Sequence, residues 1–127
     1  MVIQELHKAM YGALSTAYPT TRIVDTYQTL TSFPTLVMSD TSVVGSTETK
    51  DGWGYQLDAT IHVYATATTS YNAVTTLAEG VIAVLQGLTT LGAYKVAESS
   101  LLACRKVASG VDGIAHHVIT FRFHVVA

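Results

Sequence analysis

Five histidines, nine carboxylates and one cysteine are the residues of this 127-residue chain from which a catalytic or metal-binding centre would be assembled. His116 and His117 are neighbours on a predicted strand, so their rings point to opposite faces and do not share one ion. His62, His124 and one of that pair could meet across adjacent strands, but no spacing in the sequence requires it. Ordinary strand histidines are the simpler reading. Cys104 lies in a predicted strand with no flanking nucleophile motif, which suits a partly buried small side chain. Asp25, Asp40, Glu48, Asp51, Asp58 and Glu98 are scattered, and sequence distance alone does not pair them for acid and base work. The triplet Gly52, Trp53, Gly54 has no phosphate-binding glycine pattern around it and reads as a turn. No catalytic, cofactor-binding or metal-binding residue is therefore assigned.

The elements that hold these residues follow from periodicity. In Tyr55 to Val63, Leu57, Ala59, Ile61 and Val63 alternate with Gln56, Asp58, Thr60 and His62, the two-residue period of a half-buried strand. Past Ser70 the period becomes helical, with Val74, Leu77, Ala78, Val81, Ile82 and Leu85 at three- and four-residue intervals to about Gln86. Ser70 suits the cap of that helix, and Gly87 suits a left-handed stop. Ile3, Leu6, Met10, Ala13 and Leu14 predict a first helix over residues 2–17, ended by Pro19. Short strands are predicted over 21–24 and 35–38, and long ones over 94–107 and 114–126. Residues 25–32 read as an irregular connection. Residues 40–53, polar and glycine-bearing, read as a long loop with an interaction role, mobile until it meets a partner.

Two helices and about five strands predict one α+β domain, a mostly antiparallel or mixed sheet with both helices packed on one face. The other face would show Gln56, Asp58, Thr60, His62 and Tyr64, with Arg122 and His124. These five residues of the Tyr55 strand, with Glu48, Lys50, Asp51 and Trp53 of the loop, are the candidate interface or lumen surface.

Charged residues make up only 13% of the chain against 49% hydrophobic, with a net charge of −2. Depletion of charge marks surfaces that are covered in assemblies. Arg105 and Lys106 are the only adjacent basic pair, too little for a nucleic-acid grip. The N-terminus has no basic region followed by an apolar run, and no window reaches the length of a membrane span, so a cytosolic protein without a membrane partner is expected. One cysteine excludes an internal disulfide.

Four segments resemble a family of tailed-phage assembly proteins, the tail-completion, tail-terminator or minor tail proteins: VIQELHKAMYGAL, SFPTLVMSD, TETKDGWGYQLDATIHVYA with SYNAVTTLAEGVIAVLQGL, and VDGIAHHVITFRFHVV. Tyr64 stands where the family's strand ends in an aromatic, and Asp112 and Gly113 lead into the closing strand with Phe121 and Phe123. The resemblance implies a subunit of a closed, hexameric ring at the head-proximal end of the tail. Such a ring would end tail-tube growth on one face and offer the other to a head-side connector, with DNA passing through its lumen. Its partners would be copies of itself, the tail-tube protein and the connector or stopper protein. It would reside in the tail or neck of the virion, and in host cytoplasm during assembly. A head-completion or stopper protein of the neck is the nearest alternative; a metal-dependent enzyme on the strand histidines and a small-molecule module using Trp53 are the others.

Overall fold

The computed structural model describes residues 2–24, 35–49, 52–66, 72–107 and 114–126. They form two helices, α1 (Val2–Ala17) and α2 (Asn72–Gln86), and six strands: β1 (Arg22–Val24), β2 (Thr35–Thr49), β3 (Gly52–Thr66), β4 (Thr90–Leu91), β5 (Tyr94–Val107) and β6 (Ile114–Val126). The strands make one sheet in the order β1-β2-β3-β6-β5-β4. β1 pairs with β2 in parallel and every other neighbour is antiparallel, so the sheet is mixed.

Two expectations about the sheet change. The sheet has six strands rather than about five, because Thr90–Leu91 is too short for any periodicity to reveal. The described residues of the supposed loop over residues 40–53, which are 40–49 and 52–53, belong to paired strands. β2 continues to Thr49 and β3 starts at Gly52, with Glu48 opposite Trp53 and Thr49 opposite Gly52. Threonines and valines there favour an extended chain, and register shifts at Met38/Asp40 and Val43/Gly45 break the alternation that would have announced a strand. The expected connection over 25–32, the Ser70 cap and the Asp112–Gly113 turn lie outside the described residues.

Alternation in β3 and β6 builds the core. Leu57, Ala59 and Ile61 sit opposite Phe123, Phe121 and Ile119, and all six are essentially inaccessible. The stripe Leu6, Met10 and Leu14 of α1 and Ala78, Val81 and Leu85 of α2 join them in one apolar cluster. Each fully buried large side chain contributes roughly 1.5 to 3 kcal/mol, so this cluster is what fixes the helices to the sheet. On the same face the ring nitrogen Nε2 of His7 in α1 lies 2.6 Å from the Thr41 hydroxyl in β2.

Element ends follow local chemistry. The Tyr18 amide donates to the Leu14 carbonyl at 2.8 Å, and Pro19 has no N–H with which to continue α1. The Gly87 amide donates to the Ala83 and Val84 carbonyls at 3.2 and 3.1 Å. Gly87 does not take the left-handed conformation expected of it. Among the described residues that conformation belongs to Gly92 (φ 62°), in the tight turn between Leu91 and Tyr94, beside the Glu5 carboxylate of α1. No helix among the described residues is long and apolar enough to cross a membrane.

Candidate functional surface

The residues between the apolar positions of β3 share the second face of the sheet. Cross-strand pairing sets Gln56 opposite His124, Asp58 opposite Arg122, Thr60 opposite Thr120, His62 opposite Val118 and Tyr64 opposite His116. Gln56, Asp58, Thr60, His62 and Tyr64 thus form one strip, but its two ends differ in character.

At one end the strip is open and charged. Arg122 donates from Nε to Asp58 Oδ1 at 2.8 Å and from an Nη to Oδ2 at 3.0 Å, a two-pronged pair on partly exposed side chains. The bonds to the Asp58 carboxylate push the Arg122 pKa up and keep the guanidinium charged. Gln56, Glu98, Ser100, Arg122 and His124 line a shallow cleft of about 150 Å³. Its width and polarity suit contact with a complementary surface more than enclosure of a drug-sized ligand, which takes a pocket of about 300 Å³ or more.

At the other end the strip is closed. Thr35 and Val37 are fully buried, and Tyr64, His116 and Val118 nearly so. The His62, His116 and Tyr64 rings stack, the His116 and Tyr64 centroids 4.2 Å apart and inclined by 13°. His62 Nδ1 and His116 Nε2 are 2.8 Å apart. Desolvation first, then the neighbouring His62 and His117 rings, lower the His116 pKa to about 4. His117 lies on the apolar face opposite Val63, and desolvation and Lys106 lower its pKa as well. The expectation that Tyr64 belongs to an open surface is therefore corrected: stacking on His116 withdraws it from solvent.

The remaining candidates divide. Glu48 and Trp53 face each other in the register of the β2–β3 hairpin, while Lys50 and Asp51 lie outside the described residues. Of the histidines, His62 meets His116, whereas His124 is registered with Gln56 at the open end. No group of three or more His, Cys, Asp or Glu among the described residues lies close enough to hold a metal ion. Cys104, expected to be partly buried, is exposed on β5, as are its neighbours from Leu101 to Lys106; partial desolvation and the nearby Glu79 of α2 push its thiol pKa up.

Sequence reasoning allowed His62 to meet one of His116 and His117 but did not choose between them, because residues separated by 54 positions are brought together only by the β3–β6 register. It missed Leu101 and Leu102, exposed together on β5. A pair of leucines interrupting the strand's alternation was the available signal.

A family model described as tail completion protein gp17 matches residues 6–126. The chain belongs to the tail completion protein gp17 family. Membership agrees with the resemblance carried by its four sequence segments, and it makes this a structural tail-completion protein of bacteriophage type, a virion component rather than a member of an enzyme class. One chain of the structure described as the virion of a native gene transfer agent particle superposes with a TM-score of 0.77 at 18% identity, covering 98% of this chain and 96% of that chain. At that identity the likeness is one of fold. No curated protein matches the sequence.

Proposed function

We propose that this tail-completion protein acts as a ring, six copies in all, at the head-proximal end of a phage-type tail. One face of the ring docks on the last ring of tail-tube protein and ends tube growth, while the other receives the head-side connector. The action is geometric, and DNA crosses the lumen without being read. In this reading both helices lie on one face of the sheet and leave Gln56, Asp58 and Thr60 on the other for a neighbour or the lumen. The observation that carries the proposal is the family match over residues 6–126. The low charge of the chain is consistent with it, since broad contacts between subunits are depleted of charge and a lumen that gripped phosphates would slow transit.

Native mass spectrometry and negative-stain imaging of the protein, alone and with purified tail tubes, test the proposal. Closed rings that cap tube ends are expected. A monomer at high concentration that leaves tubes uncapped would overturn it. Rings that bind a head connector and ignore tubes would move the protein one position along the neck, to the stopper role.

A further inference from the structure

The sheet has two long unpaired margins. β1 covers only Thr35, Leu36 and Val37 of β2, which leaves the outer side of β2 without a partner strand from Met38 to Thr49 among the described residues. β4 likewise covers only Tyr94 and Lys95 of β5, the Val96 amide donates to the Thr89 carbonyl just before β4, and the outer side of β5 is without a partner strand from Ala97 to Val107 among the described residues. Each margin offers a row of backbone donors and acceptors over about the same length of chain. Natural proteins usually blunt such edges, because an open edge is a template for another strand.

Both margins carry exposed apolar side chains. Among the described residues the exposed large hydrophobics are Tyr11, Val43, Leu101 and Leu102, and three of these four belong to β2 and β5. Val43 is opposite Leu57 and Leu101 is opposite Phe121, which places both on the apolar face of the sheet but at its rims. Charge is divided between the same strands. The open part of β2 contains Asp40 and Glu48 and no basic residue, while open β5 contains Glu98 near its start and Arg105 and Lys106 at its far end.

We propose that copies of this chain join edge to edge, the open margin of β2 in one copy adding antiparallel to the open margin of β5 in the next. The proposal rests on the ring reading and names the contact that closes the ring. Its polarity follows from the topology. β2 runs parallel to β6 and β5 antiparallel to it, so the two margins run in opposite directions. Rotation about a ring axis along the strands preserves that relation, and successive copies meet with antiparallel edges at a head-to-tail contact that closes. One register satisfies both charge and apolar contact: with Asp40 opposite Arg105 of the next copy, Val43 falls opposite Leu102. The register shifts in both margins, at Met38/Asp40 and Val43/Gly45 in β2 and at Val96/Glu98 and Leu101/Ala103 in β5, add the bend that a closed wall requires.

The same register sets Thr41 opposite Cys104 of the next copy, and both lie on the apolar face. Within one chain these residues are on opposite margins, at least about 14 Å apart across three strand spacings, too far for a disulfide. The full-length Thr41→Cys variant, oxidised with copper phenanthroline and air at alkaline pH, is expected to give covalent multimers on non-reducing gels, ending at the ring's own stoichiometry. Adding Cys104→Ser should abolish them. Because Val43 and Leu102 are exposed, Val43→Lys and Leu102→Lys should keep the monomer's circular dichroism and thermal midpoint while assembly weakens at least tenfold. Arg105→Asp should do the same, and Asp40→Arg in the same chain should restore assembly. For the wild-type ring, hydrogen exchange should show the outward amides of residues 99–107 at least tenfold more protected than in the diluted monomer. Rings that persist in all three margin variants, with no multimer ladder and no added protection, would overturn the edge contact and leave the ring reading intact. A wild-type protein that never assembles would overturn both. Protection of the margins only on tail tubes would also overturn it, with the tube protein as the partner strand.

Discussion

Nδ1 of His62 and Nε2 of His116 lie 2.8 Å apart across β3 and β6, with the rings stacked 5.0 Å centroid to centroid. One ring must present a lone pair to the other's N–H, so the contact requires at least one neutral histidine. Burial of His116 assigns it the neutral state at physiological pH.

Stability should therefore fall in mild acid. The His116 pKa is about 4 in the folded chain and near 6.5 unfolded, so the unfolded state takes up the proton first. Its contribution is complete above about pH 6.5 and is lost as pH falls toward 4, on the order of 1 to 3 kcal/mol in total. Urea midpoints measured between pH 7.5 and 4 check this. His116→Gln should show a shallower decline than wild type, and parallel curves would remove His116 as the cause.

Leu14 is fully buried where α1 meets the core, and Tyr11 is about half exposed one turn earlier. Leu14→Ala should cost about 2 to 5 kcal/mol, whereas Tyr11→Ala should change stability by about 0.5 kcal/mol or less. Chemical denaturation of the two variants is the measurement, and similar losses would mean that α1 is not seated as described.

The two glycines that follow α2 should respond oppositely to alanine. Gly92 is left-handed, and an added Cβ would also displace the Glu5 carboxylate, so Gly92→Ala should destabilise by about 1 kcal/mol or more. Gly87 has no such backbone, and its added Cβ would meet the Val84 carbonyl oxygen at 3.4 Å, ordinary contact. Gly87→Ala should be neutral or slightly stabilising. Thermal midpoints of the pair decide it.

For Asp58 and Arg122, a double-mutant cycle with Asp58→Ala and Arg122→Ala should give a favourable coupling that shrinks as sodium chloride is raised. Arg122→Lys keeps the charge but loses the two-pronged geometry, so it should recover only part of the coupling. A coupling indifferent to salt would contradict the ionic account.

The long strands next to the core were legible in the sequence. Leu57, Ala59, Ile61 and Val63 marked the buried face of β3, and residues 94–107 and 114–126 match β5 and β6 at both ends. α1 was legible from Leu6, Met10 and Leu14. The outer half of β2 was not, because bulges and the polar run through Asp40, Thr41 and Ser42 erase the two-residue period where the strand leaves the core. Of the candidate surface, Asp58 and Tyr64 were rightly placed on one face. Their opposite fates, an open ion pair and a closed stack, depend on Arg122 and His116, which only the β3–β6 register supplies.

That ladder runs from Gly54 and Val126 to Thr66 and Ile114 without a slip, whereas β2 and β5 on either side of it each slip twice. Stiffness is therefore graded across the subunit. Load along the strands is carried by a straight central seam, and misfit is absorbed by margins that bend. A wall of such units would adjust its curvature at the joints while each unit kept its shape.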